Sequence, residues 1–195
     1  MKINRQNLFY SDRGAHLLLS AIDADDQRYI FSTILVDKEN QKLVATNGRV
    51  LVVLDKGNAL TEHALNVVEK TGTICPESLL SNSSANYVSK HSNSTFPDWR
   101  LIYPKNPDKE IVTSLPGWVG GLSGTKKYEK AHIGFMANGQ TVMTDFTKCE
   151  FVINLQYLKM FAGEAIKIKY SGSTSPLLIE GDISGASYVV MPIRI

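Results

Sequence analysis

The sequence predicts an α+β fold in which two domains each combine β-sheet with short helices. Three observations support this fold class: apolar residues at helical spacing near the N-terminus, pairs of β-branched runs separated by turn residues, and a similar order of helix, strands, short helix and strands in both halves. The 195 residues suffice for one large domain or two small ones. The repeated order favours two related units.

The composition is that of a packed, globular protein. Apolar residues make up 43% of the chain and charged residues 21%, which is too apolar for a disordered protein. The longest apolar runs, such as residues 50–54, are far below the roughly 18 residues that a membrane span needs. Polar residues interrupt the N-terminal positions where a signal peptide would be apolar. We expect a cytosolic protein.

The charge and the cysteine content exclude further classes of function. The net charge is +2, with 13 Lys and Arg against 13 Asp and Glu in residues 1–110, and 8 against 6 in residues 111–195. Neither half has the charge of a strongly basic nucleic-acid binder. Cys75 and Cys149 lie far apart and lack the paired spacing of zinc or redox sites. We interpret both as buried thiols and expect no metal or cofactor.

The first half begins with a predicted amphipathic helix over Arg13–Ile22, for which Ser11 and Asp12 are candidate caps. A strand is predicted from Arg28 to Val36. A second β-branched run is interrupted by Asn47-Gly48, residues that tolerate positive φ, so we predict two strands there. They cover Lys42–Thr46 and Arg49–Leu54.

The middle of the chain carries weaker signals. Residues 76–80 are typical of a short helix, and residues 81–95 are rich in Ser and Asn and are predicted to be loop. Prolines and glycines then punctuate the chain as far as residue 131. We therefore predict a first domain over residues 1–103, a linker and irregular region over 104–131, and a second domain over 132–195.

The second half has clearer turn and capping residues. Asn138-Gly139 between two β-branched runs predicts a hairpin with strands at His132–Ala137 and Thr141–Phe146. Asn154 can cap a short helix over Leu155–Phe161, with Gly163 as its stop. Three further strands are predicted, at Ile166–Tyr170, Pro176–Glu180 and Ala186–Ile193.

Three stretches resemble the bacterial β sliding clamps, the DNA polymerase III beta subunits, and they occur in that family's order. Ala45-Thr46-Asn47-Gly48-Arg49 within residues 27–51 is similar to the family's Ala-Thr-Asp-Gly-His-Arg-Leu, from which Asn47 and Arg49 depart. Residues 96–109, beginning Phe-Pro-Asp-Trp, resemble the segment that joins the middle and last domains of a clamp subunit. Tyr188–Ile195 is very close to the family's Val-Met-Pro-Met-Arg-Leu ending.

This resemblance implies two abbreviated domains of the DNA-clamp (processivity) fold, matching the middle and last of the three domains in a clamp subunit. It implies a DNA replication protein that is not an enzyme. Its partners would be DNA polymerases and repair factors that carry clamp-binding peptide motifs, docked in a groove between the two domains. Because the domain that normally completes the subunit contact has no counterpart here, a ring would need three chains. We favour a state without a ring and leave the oligomeric state open.

The groove residues implied by the resemblance form two walls. A preformed apolar slot with Met and Pro walls can bury the apolar anchors of a peptide, while Thr46 and backbone groups would fix its polar atoms. Without the resemblance, Asn47-Gly48 is better explained as a simple turn, and the alternation from Val189 to Ile193 as a core strand. The middle-domain wall comprises Phe31, Thr46, Gly48, Arg49, Leu51, Pro97 and Ile102, and the last-domain wall comprises Thr174, Pro176, Val189, Met191, Pro192 and Ile193.

DNA contact is the weaker expectation. Family members place basic residues of inner helices against the duplex, which gives salt-sensitive attraction without sequence preference. With a balanced charge we expect at most weak, non-specific binding of double-stranded DNA, and a solvated surface explains each residue equally well. The candidates are Arg5, Arg13, Lys126, Lys127 and Lys130.

Other functions find little support. The four histidines are scattered and no metalloprotease, hydrolase or phosphate-loop motif is present. A Cys149 nucleophile with His132 as its base is a remote alternative. Within the clamp interpretation, two alternatives stay open: a mobile-element decoy that occupies clamp-binding motifs without encircling DNA, and a structural remnant without a working groove.

Overall fold

A computed structural model describes residues 13–22, 29–67, 70–74, 96–122, 131–183 and 185–194. The chain divides into two compact units. The first contains Met1–Trp99 and Ile183–Ser187, and the second contains Arg100–Asp182 and Tyr188–Ile195. Because contacts within each unit dominate, the division falls at Trp99, near the end of the predicted first domain at residue 103.

The first unit is built on an antiparallel sheet with the strand order β4-β1-β2-β3. Nearly every residue of its three longer strands is buried, as expected for a sheet covered by other elements. Leu43 lies opposite Leu54 and Thr46 opposite Leu51, so β2 and β3 form a regular hairpin. The strands are β1 (Ile34–Asp37), β2 (Lys42–Thr46), β3 (Val50–Asp55) and β4 (Gly72–Ile74).

Two helices pack on this sheet. The predicted N-terminal helix is confirmed as α1 (Arg13–Ser20), which buries Leu17 and Leu18 against β2 and β3. Its candidate caps lie outside the described residues. The second, α2 (Ala59–Val67), packs on β1 and β2 and was not predicted. Asn58 caps α2, because its side-chain oxygen accepts the Leu60 N–H at 3.0 Å.

The strand predicted over Arg28–Val36 is wrong in its first part. Residues Tyr29–Ser32 form a 3₁₀ turn, and β1 begins only at Ile34. Aromatic residues favour strands in general, but tertiary packing overrides that preference here: the Phe31 ring packs over Gly48. The helix predicted at 76–80 and the loop at 81–95 lie outside the described residues.

The second unit contains an antiparallel sheet with the order β11-β10-β9-β5. Its strands are β5 (Lys109–Ser114), β9 (Ala165–Tyr170), β10 (Leu177–Glu180) and β11 (Ala186–Val190), of which β11 belongs to this unit from Tyr188 onward. The last three strands were predicted. β11 ends before the predicted Ile193, in keeping with the missing N–H of Pro192.

β5 corrects the irregular region predicted over residues 104–131. Ile111 and Thr113 are buried and alternate with exposed Glu110 and Val112, which is the pattern of a half-buried strand. A 3₁₀ helix at Gly117–Leu122 follows, with Val119 fully buried, where glycines had suggested only flexibility. The nearby prolines obscured both elements in the sequence.

A smaller sheet with the order β7-β6-β8 completes the second unit. The predicted hairpin at Asn138-Gly139 is confirmed, with β6 (His132–Phe135) and β7 (Thr141–Val142). β7 is shorter than predicted because Asp145, at φ 56°, starts a 3₁₀ turn and accepts the Thr147 N–H at 3.3 Å. β8 (Phe151–Asn154) pairs with β6 and was not predicted.

The predicted short helix of the second half is confirmed with identical bounds, as a 3₁₀ helix over Leu155–Phe161. Asn154 caps it by accepting the Gln156 N–H at 3.0 Å. Aromatic contacts tie the helix and both sheets into one core. Phe161 packs edge-on against Tyr188, with ring centroids 5.1 Å apart, and Phe151 packs between Phe135 and Tyr170 at 5.2 and 4.9 Å.

Candidate peptide-binding surfaces

The Asn47-Gly48-Arg49 turn connects β2 to β3 and is closed by its own side chains. The Thr46 hydroxyl donates to the Val50 carbonyl at 2.7 Å and accepts the Gly48 N–H at 3.1 Å. The Asn47 side-chain oxygen accepts the N–H groups of Arg49 and Val50 at 3.0 and 2.9 Å. Four hydrogen bonds from side chains of the turn itself therefore stabilise it.

Phe31 packs against this turn. Gly48 has a φ of +81°, a conformation that glycine adopts at little cost. A Cβ atom at Gly48 would lie 3.3 Å from the Phe31 ring, so the ring rests directly over the glycine backbone. The structure thus brings together two of the predicted middle-domain wall residues, in a contact that a larger residue at position 48 would disturb.

The middle-domain wall residues differ in accessibility. Gly48, Arg49 and Pro97 are exposed, and Phe31 is half-buried. Leu51 is 1% exposed and supports the turn from within the core. The Thr46 hydroxyl already donates its proton to the Val50 carbonyl within the turn. Its role in fixing the polar atoms of a peptide stays a prediction.

Trp99, two residues after Pro97, is tied to the sheet of the first unit. The Trp99 indole N–H donates to the Asp37 carboxylate at 3.1 Å, and the same oxygen accepts the Asn40 side-chain amide at 2.8 Å. Asp37 ends β1 and is 6% exposed. We call this contact the Asp37–Trp99 anchor. Ile102, which belongs to the second unit, is 40% exposed.

The last-domain wall centres on the segment after β11. Val189 and Val190 are buried in the sheet, whereas Met191 is 39% exposed and Pro192 and Ile193 are half-buried. The Ile193 N–H donates to the Val152 carbonyl of β8 at 2.8 Å. Met191 is therefore held between the end of a strand and a fixed backbone contact two residues later.

Two more wall residues adjoin this segment through strand pairing. Leu177 of β10 lies opposite Val190 of β11. Pro176 is the residue before Leu177, and Met191 is the residue after Val190. Thr174 lies in the turn before Pro176 and is exposed. Pro176 and Met191 therefore lie at the same end of the β10–β11 ladder.

Tyr157, which the sequence analysis did not single out, connects the helix Leu155–Phe161 to β11. Its carbonyl accepts the Tyr188 hydroxyl at 2.7 Å, which fastens the Leu155–Phe161 helix beside β11. Its side chain is half-buried. A tyrosine after a capping Asn and a Leu carries little signal by itself, because helical spacing explains it as a surface residue.

Of the candidate DNA contacts, only Arg13 falls within the described residues, where it begins α1 and is half-buried. Arg5, Lys126, Lys127 and Lys130 lie outside the described residues. Among the described side chains, no group of three or more His, Cys, Asp and Glu residues could hold a metal ion. None of the described helices has the length and apolarity that crossing a bilayer requires.

The remote catalytic alternative is not supported by the chemistry of its nucleophile. Burial raises the pKa of the Cys149 thiol, and the negative charge of Asp145 adds to the effect. A nucleophilic cysteine requires the opposite shift, because the thiolate is the reactive form. The Cys149 sulfur instead packs against Gly134 of β6.

Comparison with known proteins agrees with the resemblance drawn from the sequence. The chain is 26% identical to the beta sliding clamp of Proteus mirabilis, with 87% of this chain and 59% of that protein aligned. The chain therefore spans about three-fifths of the length of this curated relative. No protein-family model matches the chain.

Solved structures confirm the predicted clamp fold. A DNA polymerase sliding clamp from Pseudomonas aeruginosa matches with a TM-score of 0.62 and 18% identity, covering 99% of this chain and 65% of that one. The DNA polymerase III beta subunit of Thermotoga maritima matches with a TM-score of 0.61 and 17% identity, over 99% and 65% of the two chains. The chain is therefore similar to the bacterial β sliding clamps in its sequence motifs, in its alignment to one curated relative and in its fold.

Proposed function

We propose that the chain is a clamp-like DNA replication protein that binds the short clamp-binding motifs of DNA polymerases and repair factors. The observation that carries the proposal is the exposed Met191, fixed between the end of β11 and the Ile193 hydrogen bond to β8. An apolar side chain held at a rigid edge is a suitable wall for a peptide anchor. Met also adapts to anchors of different shape.

The first unit provides the other proposed peptide-binding surface. Phe31 offers a half-buried aromatic ring over Gly48, and Arg49 extends from a turn that hydrogen bonds have already fixed. A preorganised surface loses little conformational entropy on binding, which favours affinity for a short peptide. We propose that both surfaces contact the same peptide, as in the groove expected from the sequence.

The similarity to a beta sliding clamp supports the expectation that the chain is not an enzyme. Binding of duplex DNA is a secondary part of the proposal and should be weak, because the net charge is only +2. The cytosolic location, the oligomeric state and the decoy alternative stay predictions. Peptide binding is common to the clamp-like and decoy roles, so it is the property to test first.

Calorimetry with a peptide that carries a Gln and a Leu-Phe pair tests the proposal. We expect a dissociation constant in the micromolar range, which corresponds to about 7 to 8 kcal/mol. Replacing Met191 and Pro192 together by Ala should weaken binding about tenfold or more, because each buried apolar contact contributes on the order of 1 to 2 kcal/mol. Both positions follow the last residue of β11, so the sheet should persist.

Met143→Ala is the matched control. Met143 is 41% exposed and Met191 is 39% exposed, and both lie just after a strand of the second unit. The control should bind the peptide like the wild-type chain, and circular dichroism should show all variants folded. Absence of heat and of competition at hundreds of micromolar peptide would reject peptide binding and favour the structural-remnant alternative.

A further inference from the structure

Asp37 lies at the end of β1, on the turn that leads into β2, and receives hydrogen bonds from two parts of the chain. Its two carboxylate oxygens accept the Asn40 backbone N–H at 3.1 Å and side-chain amide at 2.8 Å, which close the turn. The oxygen that accepts the amide also accepts the Trp99 indole N–H at 3.1 Å, from 62 residues along the chain.

Trp99 connects this contact to the segment around Pro97. Trp99 is two residues after Pro97, an exposed residue of the middle-domain wall, and it begins the 3₁₀ helix Trp99–Leu101. Residues 96–98 have no helix or strand of their own. A carboxylate that is 6% exposed makes a strong, charge-assisted bond to the indole, so the anchor restricts where Pro97 can lie.

We propose that Asp37 is a positioning residue for peptide binding, acting through Trp99 to hold Pro97 and its neighbours as part of the wall. The inference rests on the proposed peptide binding and adds to it a residue that need not touch the peptide. A segment fixed in advance loses less entropy when the peptide binds, so loosening it should lower affinity without removing any peptide contact.

Two substitutions weaken the anchor from opposite ends. Trp99→Phe keeps an aromatic ring but removes the indole donor. Asp37→Asn keeps the shape of the side chain but removes its negative charge and one of its two acceptor oxygens, so the bond to the indole is no longer charge-assisted and the three N–H donors from Asn40 and Trp99 compete for a single oxygen. If Asp37 acts through Trp99, each variant should weaken peptide binding about three- to tenfold. The double variant should be no weaker than the more affected single variant.

Tyr170→Phe is the matched control. The Tyr170 hydroxyl donates to the Glu150 carboxylate at 3.1 Å in the second unit, so this substitution also removes an aromatic donor from a carboxylate. It should lower stability without changing the affinity of the folded protein for the peptide. A purely structural role for Asp37 predicts the same result for Asp37→Asn.

Tryptophan fluorescence provides a second readout. The chain has two tryptophans, and Trp118 is 51% exposed, so a Trp118→Phe background leaves Trp99 as the sole reporter. In that background, Asp37→Asn should shift the Trp99 emission to the red while circular dichroism stays unchanged. Peptide titration should change Trp99 emission with the dissociation constant obtained by calorimetry.

The outcomes separate this inference from the proposed function. Failure of the wild-type chain to bind the peptide rejects the proposed function and, with it, the inference. Wild-type binding with affinities of the folded Asp37→Asn and Trp99→Phe variants within twofold of wild type rejects the inference alone. Additive losses in the double variant also overturn it, because independent effects are incompatible with action through one contact.

Discussion

At the scale of residues, glycines fix the turns that shape both units. Gly48 allows Phe31 to lie over the β2–β3 turn, and Gly139 allows the β6–β7 turn to approach β5. Both have positive φ, at +81° and +82°. The dipeptides Asn47-Gly48 and Asn138-Gly139 predicted the turns correctly, because local preference alone decides them. The close neighbours of each glycine come from distant parts of the chain and could not be predicted.

Gly139 gives a stability prediction at this scale. A Cβ at Gly139 would collide with the Val112 carbonyl oxygen, a backbone atom that cannot rotate away. Gly163 is the matched control in the same unit, because its φ is +80° and its Cβ would have an ordinary 3.8 Å contact with Gly117. Gly163→Ala should cost about 1 to 2 kcal/mol through backbone strain alone, and Gly139→Ala about 1 to 3 kcal/mol more.

Urea unfolding followed by circular dichroism measures both variants. Equal losses in the two variants would mean that β5 and the turn move apart easily, which would contradict the close packing described for this unit.

At the scale of elements, the sequence was informative wherever local signals sufficed. The alternation of apolar and charged residues identified β9. The capping residue Asn154 identified the helix Leu155–Phe161. α2 was missed because one capping Asn and a few apolar residues, of which Leu60, Ala64 and Leu65 are described as buried, give a weak pattern over nine residues. β5 was missed because neighbouring prolines and glycines resemble a linker, whereas pairing with β9 makes the segment a strand.

The β5–β9 pair carries a pH prediction. Tyr170 of β9 is 3% exposed, and its hydroxyl donates to Glu150, which also pairs with Lys109 of β5 at 3.3 Å. Burial, the hydrogen bond and the nearby negative charges raise the pKa of Tyr170 to about 12. Because this pKa lies above that of an unfolded tyrosine, about 10, folding favours the neutral phenol. The resulting stability is fully present below pH 10 and is lost as the pH rises through 12.

Comparison of the wild-type chain with Tyr170→Phe isolates this group. Between pH 8 and pH 11 the wild-type free energy of unfolding should fall relative to that of the variant by on the order of 1 kcal/mol. Denaturant titrations at the two pH values give the difference. A constant difference across this range would show that the phenol is not shielded as the structure indicates.

At the scale of the whole molecule, the fold is better determined than the binding site. The three matching stretches lie far apart in sequence and predicted the clamp fold that the solved structures confirm. The wall residues were inferred residue by residue from the resemblance; in the structure Leu51 and Val189 are buried, whereas Arg49 and Met191 are exposed. Burial depends on tertiary packing, which explains why the motifs alone could not separate the two groups.

The central proposal is that one peptide engages the surfaces of both units, and amide-resolved NMR titration with the Gln and Leu-Phe peptide tests it most directly. The amides of Gly48 and Arg49 report on the first surface, those of Met191 and Ile193 on the second, and that of Gly139 serves as a control at another turn. We predict that signals from both surfaces shift with one micromolar dissociation constant while Gly139 is unaffected. Shifts confined to one surface, or none at hundreds of micromolar peptide, would contradict the claim.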